Sequence, residues 1–270
     1  MKVSELPIIF VENPISRFYL KVLIDKNIFD TEIIYLNNTF SIQFLEKFNF
    51  KSINHYPLLF LKKREVIYFI DQVEDFFNLE RGFIKSAYNF KNINFFKNIS
   101  KINSKSINSE ETINFLKSHK SFSYLNTGKQ ILKEVFLTKK SFFHIHPGYL
   151  PKVKGADGTL HSIQKFNEVG CSFFEMTKKI DDGKILNRIK LDFKQFDFKN
   201  INFFDEKDLY RLWFSFFDPA LRAYMFKNLI EKKIDTSDMK IYKTYDQEDS
   251  NYYSFMNENN KRITFNKIFK

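Results

Sequence analysis

Cysteine occurs once in this chain, at Cys171, so neither an internal disulfide nor a cysteine-rich zinc site is available to it. No apolar run approaches the roughly 20 residues that a membrane-spanning helix needs. The N-terminus lacks the basic, apolar and small-residue succession of a secretory leader. A cytoplasmic protein with no membrane partner is therefore expected. Glycine is sparse, with 7 copies, and the G-x-G-x-x-G pattern of dinucleotide sites is missing, so neither NAD nor FAD is implied. Arginine is confined to Arg17, Arg64, Arg81, Arg188, Arg211, Arg222 and Arg262, which leaves lysine to supply nearly all of the formal charge of +11. That charge suits an anionic partner such as a nucleotide diphosphate, a nucleic acid or a polyglutamylated cofactor. Unclustered lysine more often serves solubility, and no nucleic-acid partner is expected.

What is present suits a folded globule. Hydrophobic residues make up 43% and charged residues 28% of 270 residues, which excludes disorder and allows one substantial core plus a smaller appendage. Phenylalanine appears 35 times, a bias that an AT-rich coding sequence produces without functional cause. The opening reads as strand (residues 6–11), helix (15–25, with Phe18, Tyr19, Val22 and Leu23 on one face) and strand (31–36), the start of a doubly wound α/β fold. A helix at 41–49, strands at 66–70 and 93–99, and a helix capped by Asn108 and running to Ser118 follow. The segment 71–88 reads as helical. Residues 122–125 form a strand, the turn Asn126-Thr127-Gly128 comes next, and a short helix ends near Leu137. Residues 192–202 suit an exposed strand or connection. A long helical region at 205–231 is interrupted at Pro219. The last forty residues are polar, with Tyr242, Tyr245, Tyr252, Tyr253, Phe255 and Phe265 as anchors for a small strand pair. The expected division is 1–190 as one domain and 191–270 as a C-terminal helical appendage with short strands.

The chemistry concentrates in residues 141–186. The run Ser141-Phe142-Phe143 leads into His144 and His146, one residue apart, so alternation along a strand sends both imidazoles to one face. Pro147 and Gly148 turn the chain, Pro151, Gly155 and Gly158 break regular structure, a helix spans 159–168, and Cys171 to Met176 forms a second strand. Asp181, Asp182 and Gly183 follow. Two neighbouring strands whose ends meet would put the imidazoles beside a carboxylate, where α/β sheets hold ligands.

This stretch resembles the catalytic core of the formyltransferases that use N10-formyltetrahydrofolate, a group that includes glycinamide ribonucleotide, methionyl-tRNA and nucleotide-sugar N-formyltransferases. The pieces that carry the resemblance are His144-Ile145-His146-Pro147, Leu150-Pro151, the Gly155 to Gly158 loop, Val169-Gly170-Cys171-Ser172 and Asp181-Asp182-Gly183-Lys184-Ile185, in that order. Gly128 to Leu132 is similar to the family's Gly-x-x-Ile-Leu turn. The chain departs from the family where His144 stands in place of an asparagine. The resemblance implies a Rossmann-like α/β domain with a mostly parallel sheet, plus a small C-terminal helical and β appendage. It implies N10-formyltetrahydrofolate as co-substrate, with no metal, and an amino sugar, nucleotide-linked, as acceptor. In that reading His146 is the acid/base, Asp181 orients it or relays its proton, and His144 replaces the asparagine as oxyanion donor with one N–H in place of two. Gly128, Gln130, Ile131, Leu132, Asp182 and Gly183 fall at the family's cofactor positions. Gly148, Tyr149, Gly155, Ala156 and Asp157 fall at its substrate positions. A homodimer is compatible with it.

Other readings of the same residues stand beside this one. His144, His146 and Asp181 could be the ligands of a metal-dependent hydrolase, and the fold could have kept binding and lost catalysis at His144. Asp182-Gly183 is also an ordinary turn, and Gly128 to Leu132 an ordinary strand-to-helix turn. His55, His119 and His161 read as surface or loop residues, and Cys171 as core.

Overall fold

The run Ile8, Ile9 and Phe10 offers water no polar face, and it forms β1 (Ile8–Phe10), fully buried at the middle of the molecule. The computed structural model describes residues 1–37, 63–104, 106–198, 204–236 and 249–270. The helix expected at 41–49, His55, Tyr242 and Tyr245 lie outside them. Helix α1 (Pro14–Asp25) starts where Asn13 Oδ1 accepts from the Ser16 amide at 3.1 Å, with Pro14 at the first position, where its missing N–H costs nothing. Strand β2 (Ile33–Asn37) returns beside β1.

Residues 66–70, expected as a strand, lie instead in helix α2 (Arg64–Phe76). Val66, Phe69, Ile70 and Val73 are its buried apolar residues, a 3.6-residue period that outweighs the β-branched look of the short run. Helix α3 (Phe83–Ala87) follows, so the helical reading of 71–88 holds for its two ends. The strand expected at 93–99 is displaced: Asn89 caps a 3-10 turn over Phe90–Phe95, and strand β3 (Ile99–Asn103) begins only where Ile99 comes into register with Ile33. Helix α4 (Glu110–Ser118) is capped by Ser109 rather than Asn108. Asn108 instead donates to the Ile131 carbonyl and accepts from the Lys133 amide, both at 2.8 Å. Strands β4 (Ser123–Asn126) and β5 (Ser141–His146) come next.

A two-residue strand β6 (Lys154–Gly155), helix α5 (Gly158–Phe166), strand β7 (Glu168–Glu175) and strand β8 (Ile185–Asp192) complete the region of the motifs. The sheet order is β3-β2-β1-β4-β5-β7-β8; the first five strands pair in parallel, and β7 runs antiparallel to both of its neighbours, β5 and β8. This is the α/β, mostly parallel architecture with flanking helices that the sequence implies. Connections leave β1 and β4 in opposite directions, which opens a crevice at their C-terminal ends.

Helix α6 (Glu206–Leu212) runs through a π-helical turn (Trp213–Phe217) into helix α7 (Asp218–Glu231). Pro219 therefore does not break the rod, because it sits in the first turn of α7 next to a widened turn. The connection at 193–198 is only partly exposed: Lys194 and Gln195 face solvent, whereas Phe193, Phe196 and Phe198 are buried, and Phe196 packs edge-on against Phe69 and Trp213. Among the described residues of the last forty, where a strand pair is expected, strand β9 (Tyr252–Tyr253) pairs with β6 and is followed by helix α8 (Glu258–Ile268). Among the described residues no helix is long and apolar enough to cross a membrane.

Trp213 is wholly buried, stacks on Phe217 at 3.7 Å between centroids, and donates Nε1–H to Thr159 Oγ1 at 2.8 Å, joining the π turn to α5. Trp213→Ala should destabilise the fold by about 3–5 kcal/mol in urea unfolding. A loss near that of an exposed site would show that the π turn does not anchor the C-terminal helices.

Candidate active site

β5 delivers both histidines to one cavity of about 330 Å³ at the C-terminal ends of β1, β4 and β5. Alternation puts the two imidazoles on the same face, as the spacing implies, and β7 pairs alongside with His144 opposite Phe174 and His146 opposite Ser172. Because β7 runs antiparallel to β5, its own end points away from the site. The carboxylate comes from the loop that returns after β7, where Asp181 adopts a left-handed backbone (φ 50) that aspartate tolerates better than most residues.

The contacts of His146 fix its tautomer. Its Nε2 lies 3.0 Å from the Val153 carbonyl, which can only accept, so Nε2 carries the hydrogen and Nδ1 keeps its lone pair. Nδ1 lies 3.4 Å from Asp181 Oδ2, and that oxygen accepts from the Gly155 amide at 2.8 Å. Burial, opposed by the Asp181 charge, holds the His146 pKa below its ordinary value, so the ring is neutral at pH 7. A proton taken up at Nδ1 would be met at once by the carboxylate.

His144 is committed differently. Its Nδ1–H donates to the Asn126 carbonyl at 2.9 Å, and its Nε2 accepts from Arg222 Nη1 at 3.1 Å. Burial first, then the Arg222 charge, push its pKa far down, so it stays neutral. With its single hydrogen spent on Asn126, His144 has none to give an oxyanion, and the donor role expected for it does not fit this geometry. Metal ligation by His144 would require displacing Asn126 or a guanidinium. Among the described residues no group of three His, Cys, Asp or Glu side chains is placed to hold a metal ion.

Arg222 and its partner Asp218 are the residues that the sequence reading missed. Asp218 Oδ2 accepts from Arg222 Nε at 2.8 Å, and Arg222 Nη1 also donates to the Ile145 carbonyl. Both residues are buried and line the cavity. An acid and an arginine four apart, inside a helix flanked by Phe216, Phe217 and Leu221, was the available signal.

The other candidate residues divide into two groups. Gly128, Gln130, Ile131 and Leu132 line the cavity, as do Gly155, Ala156 and Asp157. Both oxygens of Asp157 are already used, by Tyr210 Oη–H at 2.7 Å and the Met256 amide at 2.9 Å, and the Ala156 amide donates to the Tyr253 carbonyl at 2.8 Å. These residues brace the C-terminal segment against the site. Gly148, Tyr149, Asp182 and Gly183 are not in the cavity wall. A Cβ on Gly148 would lie 2.6 Å from His146 Nε2, and one on Gly183 would lie 1.6 Å from the Glu175 carbonyl, so both glycines permit close approach of chain to chain. Tyr149 lies under the Arg188 guanidinium, and Asp182 pairs with Lys154.

No family model and no curated protein matches this chain. Among solved structures it is similar to a sugar N-formyltransferase from a Shewanella species, at 15% identity and a TM-score of 0.49, over 97% of this chain and 87% of that one. It is also similar to the N-formyltransferase from Helicobacter canadensis in complex with folinic acid and dTDP-3-aminofucose, at 16% identity and a TM-score of 0.48, over 91% and 70% of the two chains. A third is WlaRD, a sugar 3N-formyltransferase crystallised with dTDP and 5-N-formyl-THF, at 18% identity and a TM-score of 0.47, over 94% and 72%.

His161 and His119 are structural. His161 is buried, stacks on Tyr253 and bonds the Ser254 carbonyl at 3.0 Å, so it is not a surface residue. His119 is also largely enclosed, between Glu32 (3.1 Å) and Tyr124 (3.0 Å). Cys171 is buried in β7, as expected for a core residue.

Two imidazoles held neutral make stability depend on pH with a definite sign. Below the ordinary histidine value of about 6.5 the unfolded chain takes up protons that the fold refuses, so stability falls as pH falls. Each group should contribute up to about 1.4 kcal/mol per pH unit in that window. Urea unfolding between pH 7 and 5 should therefore show a shallower decline for His144→Asn than for the unaltered chain. Equal slopes would mean that His144 is not held neutral.

Proposed function

We propose that this protein transfers a formyl group from N10-formyltetrahydrofolate to the amine of an amino sugar, one linked to a nucleotide. The observation that carries the reading is the His146 imidazole, whose tautomer is set by Val153 so that its bare Nδ1 faces Asp181, with both residues lining the cavity. It occurs within the ordered series of motifs that resembles the formyltransferase core. In this reading residues 1–190 carry the acid/base chemistry, and residues 191–270 close the site.

The amine lone pair attacks the formyl carbon, forming a C–N bond while the carbonyl π pair moves onto oxygen. His146 Nδ1 takes the proton that the attacking nitrogen sheds, and Asp181 stabilises the resulting imidazolium. When the oxyanion collapses, the bond from carbon to N10 breaks, its electron pair stays on N10, and the imidazolium returns the proton there. The products are a formamide and tetrahydrofolate. The loop Gly128 to Leu132, held to α4 through Asn108, forms one wall for the flat pterin, with Ile131 exposed in the cavity. The nucleotide-linked amino sugar is the acceptor class that the resemblance of residues 141–186 to the formyltransferase core implies.

A catalytically silent binding protein is the second reading, and the spent N–H of His144 is the observation that favours it. Turnover with a panel of nucleotide-linked amino sugars separates the two. The enzyme reading requires one acceptor to be formylated and His146→Ala to lose roughly 10²-fold or more in turnover while melting normally. Near-normal turnover in the folded variant would remove His146 from the reaction. The lowered His146 pKa places the acid limb of kcat/KM below about pH 6.5, and His144→Asn should leave that limb where it is. Chelators should not reduce activity. One zinc per chain together with activity lost on chelation would replace this reading with the metal-dependent hydrolase.

A further inference from the structure

The Arg222 guanidinium has five N–H groups, of which Nε serves Asp218 and the two on Nη1 serve His144 and Ile145. No polar contact among the described residues engages Nη2. Beside it, Asp218 Oδ1 is buried without a hydrogen-bond partner, and both residues line the cavity that holds His146 and Asp181. A buried orphan acceptor is costly, and spare donors next to it mean that the site is complete only with a group that offers an acceptor and an N–H together. The formyl oxygen and the attacking amine are such a group.

We infer that Arg222, through Nη2, is the donor to the formyl oxygen and its oxyanion, and that Asp218 Oδ1 receives an N–H of the incoming amine. Arg222 thereby fills the place that the absent asparagine leaves and that His144 cannot take. His144 is a positioning residue: its bare Nε2 fixes the guanidinium against β5. Arg222 gives no proton, since the net effect of burial and the Asp218 charge is to hold its pKa above the ordinary arginine value. The hydrogen bond strengthens as charge builds on oxygen, which is where such a donor accelerates the reaction. This inference rests on the formyl-transfer reading, so its test includes a measurement that needs no turnover.

Calorimetric binding of 10-formyl-5,8-dideazafolate is compared with that of the same compound lacking the formyl group. The unaltered protein should prefer the formylated ligand by about tenfold or more, the size of one charge-assisted hydrogen bond. Arg222→Met should abolish the preference and leave the affinity for the unformylated ligand intact. In turnover, kcat should fall about 10²–10³-fold with little change in KM, and Arg222→Lys should recover part of it. Because Arg222→Met strands a buried carboxylate, the double variant Asp218→Asn with Arg222→Met is measured alongside, its melting confirming the fold. Unchanged ligand preference and turnover within about threefold of normal in a folded variant would overturn the assignment. If ligand preference depends on Arg222 but no amine is formylated, formyl transfer fails and the donor assignment stands. If turnover is present and independent of Arg222, the reverse holds.

Discussion

A guanidinium buried behind the end of β5 is the constraint on which the site depends. Arg222 reaches across from α7 to the Ile145 carbonyl and His144 Nε2 while Asp218 neutralises it from the same helix. Removing one member of such a buried pair leaves a charge that water cannot reach, a loss of about 3–5 kcal/mol. The pair therefore fixes where α7 lies on the sheet. It also dictates the state of His144, since a cation against Nε2 and a carbonyl against Nδ1 leave only the neutral ring with its hydrogen on Nδ1. Asn126, at the end of β4, is drawn in by that hydrogen. One charge thus couples two parallel strands and a helix from the C-terminal part of the chain.

The second constraint is the stitching of the C-terminal segment over the loop after β5. The Lys154 amide donates to Asn251, Ala156 to Tyr253, and the Met256 amide to Asp157, while His161 bonds Ser254. Gly155 is required at the crossing, because its φ of +92 favours glycine and a Cβ there would lie 2.1 Å from the Tyr253 carbonyl. The same Gly155 amide holds Asp181. Packing of the C-terminal strand is in this way transmitted to the carboxylate that faces His146. Residues 249–270 share one fabric with the site, and the phenylalanines of 193–198 join the same core.

Much of the site was legible because its signals are local. The x-His-x-His alternation, the Pro-Gly turn and Asp181 before a glycine are short-range patterns whose geometry follows from a strand's period of two and a turn's need for small residues. The errors in the fold were also local. Residues 66–70 look like a strand in a five-residue window, and only the period carried on to Val73 shows a helix. Asn108 and Ser109 are both good caps, and a tertiary tie to the 129–133 loop decided between them.

The sequence by itself determined the α/β class, the strand that carries both histidines, the face they share, and the nearby acid. It could not determine what each imidazole does, because a histidine's role lies in which nitrogen holds the hydrogen, and that is set by contacts from elsewhere. Val153, seven residues away, frees Nδ1 of His146. Arg222, 78 residues from His144, takes that ring out of proton chemistry and presents its own donors instead. Contacts at such separation leave no periodic trace in the chain, since only the packing of α7 on β5 brings them within hydrogen-bonding distance.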